Sequence, residues 1–121
     1  MTLPLTPEML AAAYDYLRLS LPISRWKIPP SQVVKFVVGK IKTEYGSYRW
    51  DGKQHTITMS TNLIGHTDTL MRYMAHELIH LHLEETGLES RRGGEDTHNA
   101  AFRKLAAQVC RYHGWDIKAF Y

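Results

Sequence analysis

The residues with the clearest chemical potential form the sequence His76-Glu77-Leu78-Ile79-His80, a His-Glu-x-x-His pattern within an apolar run. Two histidines four positions apart lie one turn apart on the same face of a helix, so their imidazoles can meet on one metal ion. Glu77 lies at the edge of that face, near the ion but not on it. The arrangement predicts a Zn²⁺ site with His76 and His80 as ligands and Glu77 as general base. The alternative is a buried helix whose two histidines are satisfied by hydrogen bonds.

A catalytic zinc site has three protein ligands and keeps one position open for water, so a third ligand is required. The compact pattern H-E-x-x-H-x-x-G-x-x-H fails here, because Leu83 and Thr86 stand where it needs Gly and His. Glu84 lies on the same helix, and one helix cannot easily wrap three ligands around one ion. Glu95, in the polar segment that follows, stays open as a ligand. His98 is favoured, since a short antiparallel return would bring the start of the next helix back to the motif.

The remaining polar candidates receive weaker roles. His82 lies two residues beyond His80, about 200° around the helix, and cannot share its ion. No spacing argument makes ligands of the other histidines, which are His55, His66 and His113. Asp96 could orient a ligand imidazole, although helix capping suits it better. The weak candidates for an oxyanion partner are Tyr73, Tyr112 and His113.

The motif requires a helix, and the pattern around it predicts one over residues 67–86, with Gly87 just past its end. Apolar residues cover nearly all sides of this helix before its last turn, which is typical of a central, buried helix. A first helix is predicted over 6–21, with Thr6 as cap, Pro7 at the first position and Pro22 as its stop. A third is predicted over 98–113, capped by Asp96 or Thr97 after a loop at 88–96.

Three runs rich in β-branched and aromatic residues predict strands at 33–41, 45–50 and 54–59. Asp51-Gly52 separates the second and third runs and is a strong hairpin signal. The first two are close enough for another hairpin through Lys42-Thr43-Glu44. The expected fold is therefore α+β: a small three-stranded antiparallel sheet packed on the central motif helix, with an N-terminal and a C-terminal helix.

Composition limits the classes of protein that fit. At 121 residues, with 44% hydrophobic and 22% charged residues, the chain is expected to be one globular domain over 1–121. It has one cysteine, Cys110, so the metal ligands must be His and carboxylates. No signal peptide or membrane span is visible, and a cytoplasmic monomer is expected. The net charge of +3 permits weak DNA association, but a solvated surface explains it equally well.

With these residues in view, the chain resembles the SprT-like metallopeptidases, the family of the Spartan proteases, over roughly residues 33–113. The resemblance rests on a strand like Thr56-Ile57-Thr58-Met59-Ser60, then the His76–His80 motif, then His98 with Phe102 four residues on. It implies zinc ligation by His76, His80 and His98 and catalysis by Glu77. Asn99 departs from the glycine that is usual there. The sequence shows no Cys-based C-terminal zinc ribbon, so a stand-alone catalytic core is expected.

The function expected from these patterns is zinc-dependent hydrolysis of peptide bonds in a protein or peptide substrate. The substrate would lie extended along an edge of the sheet, although the sequence does not indicate which edge. The alternative is a non-catalytic module, stabilised by zinc, that contacts DNA or protein.

Overall fold

The computed structural model describes residues 4–90 and 98–121. Helix α1 spans Pro7–Arg18, and strands β1, β2 and β3 span Val34–Gly39, Gly46–Trp50 and His55–Ser60. Helix α2 spans Thr67–Thr86, α3 spans Ala100–His113, and a short α4 spans Ile117–Phe120. Single 3₁₀ turns at Ile23–Arg25 and Ser31–Val33 join α1 to the sheet. The predicted α+β class is confirmed, and α4 is a helix that the sequence patterns did not predict.

The sheet is mixed, which differs from the purely antiparallel sheet expected. Its strand order is β1-β3-β2: β3 is parallel to β1 and antiparallel to β2. The hairpin predicted through residues 42–44 is therefore wrong, because β3 lies between the two strands it would have joined. β3 buries the most side chains, while Lys35 of β1 and Arg49 of β2 are exposed. Charged, solvated strands suit the edges of a sheet and an apolar strand suits its centre.

The hairpin between β2 and β3 forms as predicted. One Asp51 carboxylate oxygen accepts hydrogen bonds from the main-chain N–H groups of Lys53 and Gln54, both at 2.8 Å. These bonds stabilise the charged carboxylate and lower the pKa of Asp51. Gly52 has a φ of +97°, a conformation that side chains with a Cβ disfavour. Asp51-Gly52 thus turns the chain and sets the register of the two strands.

The caps of the helices agree only in part with the sequence. Thr6 caps α1 through the N–H of Met9, but α1 ends at Arg18, earlier than residue 21. The helix stops before Pro22 because proline has no N–H to donate and restricts the residue before it. The cap of α3 is Asn99, which accepts from the N–H of Phe102, so the expectation of Asp96 or Thr97 is wrong. Those two residues lie outside the described part of the chain.

Helix α2 is central, as its apolar pattern predicted. It packs against α1, β2, α3 and α4. Every residue from Met74 to Leu81 is buried, which includes His76, Glu77 and His80. Three polar side chains in such a run lose hydration and need polar partners. No helix within the described residues is both long enough and apolar enough to cross a membrane.

Candidate active site

The structure brings together the three histidines that the sequence singled out. His76 and His80 lie on consecutive turns of α2, with ring centroids 5.2 Å apart. His98 precedes α3, and its ring lies 4.9 Å from that of His76 and 5.4 Å from that of His80. One nitrogen from each ring lies within 4.8 Å of the other two. Among the described residues, this is the one group of histidine, cysteine or carboxylate side chains close enough to share an ion.

The tautomers of two of these rings are set by acceptors behind them. Nδ1 of His76 lies 3.1 Å from the main-chain oxygen of Phe120. A carbonyl oxygen can only accept, so Nδ1 carries the proton and Nε2 presents a lone pair. Nδ1 of His80 likewise donates to the Glu89 carboxylate at 2.8 Å. An acceptor behind each imidazole is the usual support for a metal-ligating histidine.

The charge state of the rings also fits a metal. Burial, followed by the nearby His80 and His98, lowers the pKa of His76 to about 3. Burial, followed by His80, lowers the pKa of His98 as well. His76 and His98 are therefore neutral at pH 7, and neutral imidazole is the form that binds metal. Nε2 of His76 and Nε2 of His98 are 3.2 Å apart, so their ring nitrogens converge on one point. The three histidines fit a zinc ion by donor type and position.

Glu77 is buried beside this group, with 3% of its surface exposed, and it lines the same cleft. Burial, followed by the negative charges of Glu44 and Glu89, raises its pKa to about 8. In the metal-free protein Glu77 is therefore largely protonated near neutral pH. A cation held by the histidines would favour its ionised form.

A cleft of about 620 Å³ runs over the site between α2 and β2. Its floor includes His76, Glu77 and His80, and one wall is formed by residues 43–50. β2 is an edge strand, so the sheet edge that faces the candidate site is the β2 edge. The sequence could not distinguish this edge from β1, because that choice depends on which strand lies in the middle.

A chain of hydrogen bonds joins β2, β3 and α2 at one end of this cleft. Nδ1 of His55 lies 2.6 Å from the Tyr48 hydroxyl, and its Nε2 lies 2.6 Å from a Glu85 carboxylate oxygen. Burial, together with nearby glutamates, raises the pKa of Tyr48, so its hydroxyl keeps its proton. His55 is buried against the ring of Trp50, at 4.4 Å between centroids. These hydrogen bonds fix β2 at one position relative to α2.

The other candidates lie elsewhere or cannot be placed. Nδ1 of His82 accepts from the N–H of Lys27 and its ring stacks on Trp26, which is a structural role. Tyr73 lines the cleft, whereas Tyr112 and His113 are not among the described residues around it. Glu84 lines the cleft but does not belong to the histidine group. Glu95 and Asp96 lie outside the described residues.

Several residues around the site were not found by sequence reasoning. Glu89 and the main-chain oxygen of Phe120 support the ligand rings, and Tyr45 and Tyr121 line the cleft. Glu89 carries no spacing signal, since its position depends on how the chain leaves α2. A main-chain oxygen has no signature in any sequence. Asn99 both caps α3 and donates through its side-chain nitrogen to the Leu88 main-chain oxygen at 3.0 Å.

Comparison with known families agrees with this geometry. The model of the SprT-like family matches residues 17–119, almost the whole chain. The protein belongs to the SprT-like family, and the resemblance seen in the sequence is confirmed. The match also takes in part of α1 and most of α4, beyond the 33–113 span of that resemblance. No curated protein matches the chain.

Proposed function

We propose that this protein is a zinc-dependent metallopeptidase that hydrolyses peptide bonds in an extended segment of a protein substrate. The observation that carries the proposal is the convergence of three histidine nitrogens next to a buried glutamate, at the floor of an open cleft. Membership of the SprT-like family supports the same class of reaction. His76, His80 and His98 would be the metal ligands.

Zinc bound there would lower the pKa of its water towards neutrality and polarise the scissile carbonyl. Glu77 acts as general base: its carboxylate removes the proton of the attacking water and delivers it to the leaving nitrogen. The water oxygen adds to the carbonyl carbon and the carbon–nitrogen bond breaks, which gives a carboxylate and an amine. Glu89 and the Phe120 main-chain oxygen hold two of the ligand rings in orientation throughout.

The substrate would add a strand to the β2 edge. Main-chain N–H and C=O groups on the outer side of an edge strand can pair with an extended peptide. The bonds from Tyr48 through His55 to Glu85 keep this edge at a constant position above α2. A rigid edge lets main-chain pairing place one peptide bond of the substrate over Glu77.

The first prediction tests the role of Glu77. Glu77→Gln keeps the size of the side chain but removes the base, so the variant should bind zinc and lose cleavage by about 10²- to 10⁴-fold. The measurement is zinc content of the purified, zinc-loaded protein together with cleavage of casein and of histone. Glu8→Gln, at an exposed position in the first turn of α1, is the control and should cleave normally.

Two results would count against the proposal. Full cleavage by Glu77→Gln would remove Glu77 from the mechanism. DNA or protein binding by the wild-type protein, without any chelator-sensitive cleavage, would favour a non-catalytic module instead. The assays are therefore run with and without DNA and with and without chelator.

A further inference from the structure

Two parts of the cleft differ in chemistry. Tyr45, Tyr73 and Tyr121, which we call the aromatic wall, line the cleft around the first half of α2. Their rings supply mostly carbon surface. Glu84, near the end of α2, and Glu89, which bonds to His80, also line the cleft. A peptide that crosses the site therefore meets an apolar surface on one side of the cleaved bond and acidic groups on the other.

The aromatic wall is built from contacts between separate elements. The rings of Tyr45 and Tyr73 stack with centroids 4.2 Å apart and planes 1° from parallel. The Tyr73 hydroxyl lies 3.5 Å from the main-chain oxygen of Tyr121. The Tyr121 ring lies 5.3 Å from that of His98, so the wall reaches the candidate metal ligands directly. Tyr45 and Tyr121 remain 37% and 42% exposed, which leaves ring surface open to a ligand.

The direction of β2 relates this wall to the direction of a bound peptide. Tyr45, before β2, contacts Tyr73 near the start of α2, while Tyr48 is linked through His55 to Glu85 near its end. β2 therefore runs parallel to α2. A peptide paired antiparallel with β2, the more stable pairing, runs in the opposite direction to α2. The part of the peptide that follows the cleaved bond then lies towards Tyr73 and the wall.

Distance selects which residue of the peptide meets the wall. Tyr73 lies three positions before His76 on α2, about 4.5 Å along the helix axis. Successive residues of an extended peptide advance by about 3.3 Å, and alternate side chains share a face. The wall is thus within reach of the first side chain after the cleaved bond.

We propose that Tyr45, Tyr73 and Tyr121 form a specificity site for an aromatic or large apolar side chain on the residue immediately after the cleaved bond. This inference rests on the proposed peptidase function and deepens it by naming a substrate preference. Aromatic side chains pack edge to face or offset against tyrosine rings. This packing favours binding of peptides with Phe, Tyr or Trp over Ala at that position.

The experiment uses two labelled peptides that differ only in Phe or Ala after one cleavable bond. The zinc-loaded protein should cleave the Phe peptide with a kcat/KM about tenfold higher or more, since each missing apolar group in such a site costs about tenfold or more. Mass spectrometry of products from a mixed peptide library should place aromatic and large apolar residues after the cut. Equal cleavage of the two peptides, or an aromatic preference on the residue before the cut, would overturn the inference.

Variants of the aromatic wall test which residues cause the preference for the Phe peptide over the Ala peptide. Tyr45→Ala should reduce the ratio between the two peptides to about threefold or less, because one of the two rings with open surface is lost. Tyr45→Phe keeps the ring and should keep the ratio. Tyr112→Ala removes an exposed tyrosine of α3 that does not line the cleft, and it should match the wild type. A ratio unchanged in Tyr45→Ala would exclude Tyr45 from the site.

A measurement of peptide binding distinguishes failure of this inference from failure of the proposed function. Zinc-loaded Glu77→Gln should bind the Phe peptide more tightly than the Ala peptide in fluorescence polarisation. If the wild type cleaves neither peptide but this preference in binding is present, the peptidase proposal fails and the specificity site stands. The specificity site is refuted if the two peptides are cleaved at equal rates and bound with equal affinity. It is also refuted if neither peptide is bound.

Discussion

At the scale of single residues, the site depends on the groups that orient the histidines as much as on the histidines themselves. Glu89 is nearly buried and accepts from His80 at 2.8 Å, so it sets which nitrogen of that ring is free. The Phe120 main-chain oxygen does the same for His76. These supports lie far apart along the chain, on the two sides of the histidine group.

A prediction at this scale concerns Glu89. Glu89→Ala should weaken zinc binding by about 10- to 100-fold, because His80 loses the acceptor that fixes its tautomer and orientation. A competition titration against a chromophoric chelator measures the affinity. Glu89→Gln keeps an oxygen acceptor and should lose less. An unchanged affinity in Glu89→Ala would show that His80 is oriented without it.

At the scale of elements, the position of β2 depends on a close approach at Gly46. A Cβ at this residue would lie 2.9 Å from the Thr58 main-chain oxygen and 2.8 Å from Met59 Sδ. The sulfur belongs to a flexible side chain, but the oxygen belongs to the central strand and cannot easily move. Glycine is therefore required here because a Cβ has no room, and not because of the backbone angles. The close contact brings the start of β2 against β3 and so shapes the wall of the cleft.

The prediction that follows is that Gly46→Ala destabilises the protein by about 1–3 kcal/mol, as overpacking usually does. It should also lower cleavage, because β2 must shift away from β3 at the point where the cleft begins. Urea unfolding gives the free energy, and peptide cleavage gives the activity. Ser47→Ala, the next residue, adds no atoms and is the control for stability. Equal stability of Gly46→Ala and the wild type would show that a Cβ at residue 46 does not clash with β3.

At the scale of the whole molecule, burial of ionisable groups makes the stability of the metal-free protein depend on pH. Burial lowers the pKa of four histidines below 6.5, their ordinary value: His76, His82, His98 and His113. The unfolded chain then binds more protons than the folded one below about pH 6.5, so acid destabilises the fold. Glu77 has the opposite sign: its raised pKa stabilises the fold at low pH, and this stability is lost as pH rises towards 8.

We therefore expect two opposing contributions when the pH of the metal-free protein falls from 7.5 to 5.5: the buried histidines lower the stability of the fold and Glu77 raises it. Glu77→Gln should lose more than the wild type over the same interval, since the opposing contribution is absent. Urea unfolding of chelator-treated protein at several pH values gives both slopes. A slope in Glu77→Gln no steeper than in the wild type would show that Glu77 does not titrate as its burial implies.

Much of the site follows from the sequence because its main signals are local. The spacing of His76 and His80 puts both on one helical face whatever surrounds them, and the apolar run marks that helix as buried. Asp51-Gly52 turns the chain through its own side chain and backbone angles. His98 could be favoured because the short segment after α2 limits how far the chain can travel. These properties depend on neighbours within a few residues, which a sequence displays directly.

Other features were decided only by the tertiary structure, because they depend on contacts between distant segments. The parallel pairing of β1 with β3, and hence the choice of β2 as the edge beside the cleft, is a competition among strands that share similar composition. The acceptors behind His76 and His80 lie 44 and 9 residues away, and one of them is a main-chain oxygen. The sequence alone determined which residues could hold a metal beside a buried carboxyl group. The packing of β2, α2 and the segment around Phe120 decided how those residues are oriented and what surface a substrate would meet.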